Sequence, residues 1–223
     1  MNIFLEIETL NPEIAEDATR LREIIATMDN IYKQYAIERL SEYTTGSDDD
    51  FMDIYTDYLD HSCDLIRIEC LQAIARGCFE KAEIPFDAIY KRLTDDEPQV
   101  RRYALNCLFE QNRADTFEIV SERLRLRSHI YEIVTAYGLF LQLGKDEFLG
   151  KFLKQLENDD FYSVYYACGI ISLDETGIYR KYADQVLPAC RARIAREKSD
   201  LNREALIEEL EHAIEAVLSE VDE

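Results

Sequence analysis

The sequence predicts an all-α fold in which pairs of helices repeat along the chain and stack on one another. Apolar residues recur at helical spacing through most of the 223 residues, and runs that alternate apolar with polar residues are lacking. One such pattern returns every 31–34 residues. A helix pair of this length cannot bury its own apolar face, so neighbouring pairs must stack to form a continuous core.

The repeat is clearest in Asp95–Leu108, where an acidic turn leads into Pro98. Proline is tolerated at the start of a helix because an N–H there would have no intrahelical partner. The residues that follow place four side chains on one helix face, which we expect to be buried. These four are Val100, Ala104, Leu105 and Leu108.

The second of these four positions is small in every repeat, which allows another helix to approach closely. Its occupants are Ala36, Cys70, Ala104, Thr135 and Ala167. A second helix follows in four of the repeats, with apolar residues at positions zero, three and seven. These sets are Met52/Tyr55/Leu59, Phe86/Ile89/Leu93, Phe117/Val120/Leu124 and Leu149/Phe152/Leu156.

The pattern places the helices along a single predicted domain, residues 1–223, with a repeat core at about 30–175. The predicted first helices are Ile31–Tyr43, Cys63–Arg76, Pro98–Glu110, His129–Leu143 and Asp160–Leu173. The predicted second helices are Phe51–Leu59, Pro85–Leu93, Asp115–Leu126, Glu147–Leu156 and Ile178–Lys198, the last of which Pro188 should kink or split.

Two further helices are predicted to flank the repeats. An N-terminal helix covers residues 12–28, with Asn11 as its N-cap. A C-terminal cap covers residues 200–218, with Asp200 at its N-cap and one apolar face turned inward. That face is predicted to contain Ala205, Leu206, Ala213 and Val217.

The acidic turn, Pro98, the Val100–Arg101 pair and the small-residue position together resemble a HEAT repeat of the PBS-lyase/armadillo type. Tetratricopeptide repeats have a similar period, but the chain has no Trp and no clear signature of that family. The HEAT resemblance implies a right-handed α-solenoid of about five to six antiparallel helix pairs with a C-terminal capping helix. The position of Arg101 is also basic in two earlier repeats, as Lys33 and Arg67.

No motif for catalysis, a cofactor or a metal is recognisable, so the sequence predicts a protein that is not an enzyme. The three His residues are scattered, no C-x-x-C pair occurs, and no Gly-rich phosphate loop is found. Met1–Pro12 does not read as a secretory signal, and no apolar run reaches the length of a membrane span. The six Cys residues are expected to be reduced and structural, which indicates a cytoplasmic location.

The net charge of −21 is concentrated toward the chain ends, and residues 1–60 contain fifteen acidic but only four basic residues. Such a surface repels nucleic acid and anionic membranes and attracts a basic partner protein. Second helices usually line the concave face of HEAT arrays, so their acids are the candidate partner-binding residues, with one tyrosine as an anchor. The set is Asp53, Asp57, Tyr58, Asp87, Glu118 and Glu122. The segment Asp48–Asp64 contains no base. The alternative interpretation of the acids on the second helices is that they lie on ordinary solvated helix faces.

Two other clusters have alternative interpretations. Tyr162, Tyr165 and Tyr166 either belong to the core with their hydroxyls at the surface or form a contact surface. Arg123, Arg125 and Arg127, which the repeat places near Arg92, Arg101 and Arg102, either pair with the acids of the turns or contact an anion.

These observations favour a non-enzymatic module that binds a basic protein through an acidic face. In class and charge the chain resembles bacterial immunity proteins, which neutralise toxins and often inhibit basic nucleases. The alternative is a HEAT-like lyase or an enzyme-associated scaffold subunit. The sequence does not indicate an oligomeric state.

Overall fold

A computed structural model describes residues 2–42, 51–77, 83–111, 115–125, 129–174, 176–197 and 204–219. Over these ranges the regular structure consists of fourteen α-helices and a short 3-10 turn, without strands, and the all-α prediction is confirmed. The chain forms two compact units, Met1–Thr116 and Phe117–Glu223. No helix in the described ranges is both long and apolar enough to cross a membrane.

The helix bounds follow the predicted ones closely within the repeats. The first unit contains α1 Ile3–Thr9, α2 Ala15–Thr27, α3 Asn30–Ser41, α4 Met52–Tyr58, α5 Asp64–Arg76, α6 Phe86–Arg92 and α7 Pro98–Glu110. Helix α8, Thr116–Arg125, begins at the unit boundary. The second unit continues with α9 Ile130–Gln142, α10 Leu149–Leu156, α11 Phe161–Ser172, α12 Ile178–Lys181, α13 Ala183–Glu197 and α14 Glu204–Leu218.

The predicted N-terminal helix, residues 12–28, corresponds to α2, but its predicted start and cap were wrong, and the preceding helix α1 was not predicted. Asn11 is not an N-cap, since its side chain accepts a hydrogen bond from the Glu13 N–H within the connecting turn. Helix α2 begins after Ile14, which provides no side-chain cap.

Pro188 does not split its helix, which is one of the two predicted effects, because it lies inside the continuous helix α13, and the helical structure is interrupted at Tyr182 instead. Pro188 leaves the Asp184 carbonyl without its intrahelical donor. Both residues are exposed, so water can hydrate that carbonyl and the helix continues.

The inward face of α14 differs from the prediction at one position. Leu206, Ala213 and Val217 are buried as predicted, whereas Ala205 is exposed and Leu210 is buried instead. The buried set recurs every three or four residues, which is the spacing of one helix face. The predicted N-cap, Asp200, lies outside the described residues.

In the first unit, the first helices of successive repeats pack side by side, with α5 between α3 and α7. Helices α2, α4 and α6 pack against α3, α5 and α7 respectively. The predicted small positions Ala36, Cys70 and Ala104 are fully buried. Small side chains at these positions let neighbouring helices approach, as the pattern predicts.

The turns before α5 and α7 are held by the same contact, displaced by thirty-four residues. Arg67 donates to the carbonyls of His61 and Ser62 at 2.7 and 3.2 Å, and Arg101 donates to those of Asp95 and Asp96 at 2.6 and 3.0 Å. In addition, the side chains of His61 and Asp95 each accept from the N–H two residues later. The repetition therefore extends to the hydrogen bonds of the turns.

In the second unit, α11 packs against α9 and α14, while α10 packs against α9 and α11. Thr135 and Ala167, the small positions of α9 and α11, are fully buried. Gly138 marks a close approach, because a Cβ atom at this position would lie 2.6 Å from Cγ2 of Ile170. The hydroxyl of Tyr179 donates to the Gly138 carbonyl at 3.3 Å.

The described cysteines are free thiols, and four of them, Cys70, Cys107, Cys168 and Cys190, are buried. Burial raises the pKa of Cys107 to about 12 and that of Cys190 to about 11. Thiols react as thiolates, so these side chains should be inert in the folded protein.

Thiol titration checks this arrangement. Without a reductant, we expect denaturation to raise the number of reactive thiols by at least four and to bring the total to six. A total below six would show that a disulfide forms, and a smaller rise would show that the buried thiols are accessible in the folded chain.

Candidate partner-binding surface

Asp53 lies in the first turn of α4, where its exposed carboxylate forms a bidentate ion pair with Arg22 of α2. The two hydrogen bonds measure 2.8 and 3.1 Å. The guanidinium hydrogen bond lowers the pKa of Asp53 below its usual range. The expectation that no base neutralises this segment was therefore wrong for Asp53, because the base comes from another helix.

Asp57 and Asp87 are exposed, and within the described ranges neither has an ion-pair partner. Asp57 lies one turn after Asp53 on α4, and Asp87 lies in the first turn of α6. Lys91 and Arg92 of α6 both pair with Asp60, just after α4, at 2.7 Å. This shared carboxylate links the end of α4 to α6, so the helices that carry Asp57 and Asp87 are neighbours in the first unit.

Tyr58 is half-buried, and its hydroxyl donates to the Ile25 carbonyl at 3.1 Å. Its ring stacks on His61, with centroids 5.7 Å apart, and lies 5.8 Å from Nζ of Lys33. Burial, followed by the charge of Asp57, raises the pKa of Tyr58, so the phenol is neutral at pH 7. The predicted anchor can offer only part of its ring to a partner, since its hydroxyl is engaged inside the unit.

Glu118 and Glu122 are exposed on α8, four residues apart and therefore on one helix face. Arg123 of the same helix lies 3.9 Å from the buried carboxylate of Glu132. Arg127 lies outside the described residues.

The turn arginines of the first unit have mainly structural partners. Asp95, whose side chain is 5% exposed, binds Arg67 at 2.8 Å and Arg92 at 3.1 Å. Arg92, near which the repeat places Arg123, Arg125 and Arg127, thus pairs with acids of the turns.

Two other basic residues of the first unit also pair with acids. Arg20 pairs with Glu6 and Glu23 at 2.6 and 3.0 Å, and Arg39 pairs with Glu42 at 2.8 Å. The exposed acids Asp57, Asp87, Asp96 and Glu97 form no ion pair with any described residue. The surface of the unit thus has a surplus of negative charge after internal pairing.

Sequence reasoning missed the pairing of Asp53, although a signal was present. Arg22 and Asp53 are 31 residues apart, and so are Lys91 and Asp60. This separation is close to the thirty-four-residue step of the first unit, at which side chains of successive helix pairs become neighbours.

Among the described residues, no group of three or more His, Cys, Asp or Glu side chains is placed to hold a metal ion. No model of a known protein family matches the chain, and none of the curated proteins compared with it does.

Proposed function

We propose that the chain is a non-enzymatic, HEAT-like module that binds a basic partner protein through the acidic surface formed by α4 and α6. The proposed architecture is a right-handed α-solenoid of about five to six helix pairs. Its support is the thirty-four-residue displacement of the contacts made by Arg67 and Arg101. Stacked repeats of this type offer extended surfaces to partners.

The observation that carries the proposal is the charge left after internal pairing. Asp57 and Asp87 stay exposed without a described counter-charge, while nearby Arg22, Lys91 and Arg92 are already bound to carboxylates. Unbalanced like charges repel one another in the free protein, and a cationic partner relieves that repulsion. Such a field mainly accelerates association and selects for partners of opposite charge.

The class of partner follows from the same charge. With a net charge of −21, nucleic acid and anionic membranes are repelled, and basic proteins are attracted. Bacterial immunity proteins, which the chain resembles in class and charge, act on basic toxins. A basic nuclease is therefore the first partner to test.

Affinity capture from the source cells tests the proposal. The purified chain should retain a basic protein, and Asp57→Asn/Asp87→Asn should retain much less of it, because two uncompensated charges are removed. Raising the salt concentration should weaken capture by the original chain more than capture by the variant.

The matched control is Asp96→Asn/Glu97→Gln, which changes the net charge equally but lies in the turn before α7. It should capture the partner nearly as well as the original chain. Equal losses of captured partner in both variants would show that binding depends only on the net charge of the chain. Capture unaffected by Asp57→Asn/Asp87→Asn would show that this surface is merely solvated.

A further inference from the structure

A second candidate surface lies in the other unit, at the beginnings of α9 and α11. We call it the tyrosine patch, and it consists of Tyr131, Phe161, Tyr162, Tyr165 and Tyr166. The ring of Tyr131 contacts those of Tyr162 and Tyr166, with centroids 5.9 and 5.3 Å apart. Phe161 stacks on Tyr165 at 5.9 Å. Phe161 also contacts Tyr162, with centroids 5.3 Å apart, so the five rings form one connected cluster.

The outer part of the tyrosine patch is exposed to solvent, with Tyr162 52% and Tyr165 37% accessible. Scattered exposed aromatic residues are normal, but a contiguous cluster marks an interaction site. Tyrosine is enriched in protein interfaces because it offers a large, rigid ring at a low cost in conformational entropy.

The electrostatics of the tyrosine patch favour a positively charged group. The faces of aromatic rings carry partial negative charge, which attracts guanidinium and ammonium groups. Asp160 lies directly before Phe161, where it caps α11 by accepting from the N–H and hydroxyl of Ser163 at 2.8 and 3.0 Å. Burial, and then the charge of Asp160, raises the pKa of Tyr131, so this phenol stays neutral.

Elsewhere in the second unit, the chain places its own lysines over aromatic rings. The pairs are Lys145 with Phe117 at 4.4 Å, Lys151 with Phe148 at 4.5 Å and Lys181 with Tyr182 at 4.8 Å. No cation from the described part of the chain lies over Tyr131 or Tyr162. Tyr131 is half-buried and also contacts the ring of His129, with centroids 4.3 Å apart, so the exposed ring of Tyr162 is the main candidate to receive a cation from another protein.

We infer that the tyrosine patch is a second docking surface, which receives arginine or lysine side chains of the basic partner over the faces of its rings. This inference rests on the proposed function, since it assigns a further contact to the same partner. It differs in its physical basis, because the acidic surface of α4 and α6 acts through charge and the tyrosine patch through cation–π contacts.

Fluorescence anisotropy with a labelled nona-arginine peptide tests the inference. Tyr162→Leu keeps an apolar side chain but removes the most exposed ring face, so affinity should fall about three-fold or more. The matched variant Tyr162→Phe keeps the ring face and loses only the hydroxyl, so its affinity should stay within about 1.5-fold of the original. The site is exposed, and circular dichroism verifies that each variant is folded.

Three results would overturn the inference. The leucine variant could bind as the original chain does, or the phenylalanine variant could lose as much affinity as the leucine variant. In the third case, an uncharged Gly-Ser peptide or a labelled oligothymidine would bind as tightly as nona-arginine, and Tyr162→Leu would weaken that binding.

Parallel titration of Asp57→Asn/Asp87→Asn separates this inference from the proposed function. If only the aspartate variant loses affinity for the peptide, the inference is overturned and the acidic surface of α4 and α6 is supported. If only the leucine variant loses affinity, the inference is supported and the role of α4 and α6 is overturned. If the original chain does not bind the peptide, both are overturned.

Discussion

Asp95→Ala is expected to lower the free energy of unfolding of the first unit by about 3 kcal/mol. The Asp95 carboxylate binds both Arg67 and Arg92 and also accepts from the Glu97 N–H at 3.1 Å. Its removal leaves Arg67 buried without a carboxylate and takes one of two carboxylates from Arg92. An uncompensated buried charge is costly, and the carbonyl contacts of the arginines offset only part of that cost.

Urea unfolding followed by far-UV circular dichroism measures this change. The control is Asp96→Ala, which removes an exposed carboxylate next in the chain and should change stability by no more than about 0.5 kcal/mol. Equal stabilities of the two variants would show that the Arg67–Asp95–Arg92 network does not support the turn.

Ala104→Leu is expected to destabilise the first unit by about 1–3 kcal/mol. Ala104 is fully buried on α7, which packs against α5. The added carbon atoms must push the helices apart or adopt strained rotamers, because closely packed interiors have little free volume.

Thermal unfolding checks this prediction, with Glu122→Ala on the exposed face of α8 as the control. The control should stay within about 0.5 kcal/mol of the original chain. An unchanged melting temperature for Ala104→Leu would contradict the assignment of Ala104 to the helix contact.

Much of the helical core could be predicted because burial imposes a periodic pattern on nearby residues. Ala36, Cys70, Ala104, Thr135 and Ala167 are all fully buried, as the shared small position requires. Helix α7 has the predicted bounds, since Pro98 is a local signal for a helix start. The break between α1 and α2 contains a similar signal, Asn11–Pro12, but these residues belong to the turn before α2, and Asn11 serves that turn instead of a helix cap.

The candidate surface was harder to predict because ion pairs depend on neighbours that are distant in the chain. A count of charges in Asp48–Asp64 correctly describes the sequence but not the field, since Arg22 neutralises Asp53 from α2. The same count could not show that the Tyr58 hydroxyl is bound to the Ile25 carbonyl. Asp57 and Asp87 remain candidates because only they, among the predicted acids of the first unit, lack a described ion pair.

Hydrogen exchange of the chain, alone and in complex with its captured partner, tests whether the partner binds to α4 and α6. We expect slower exchange on binding in Met52–Tyr58 and Phe86–Arg92, the helices that carry Asp57 and Asp87. Protection confined to other helices, with these two unchanged, would contradict the assignment of the acidic surface of α4 and α6 as the site that binds the basic partner.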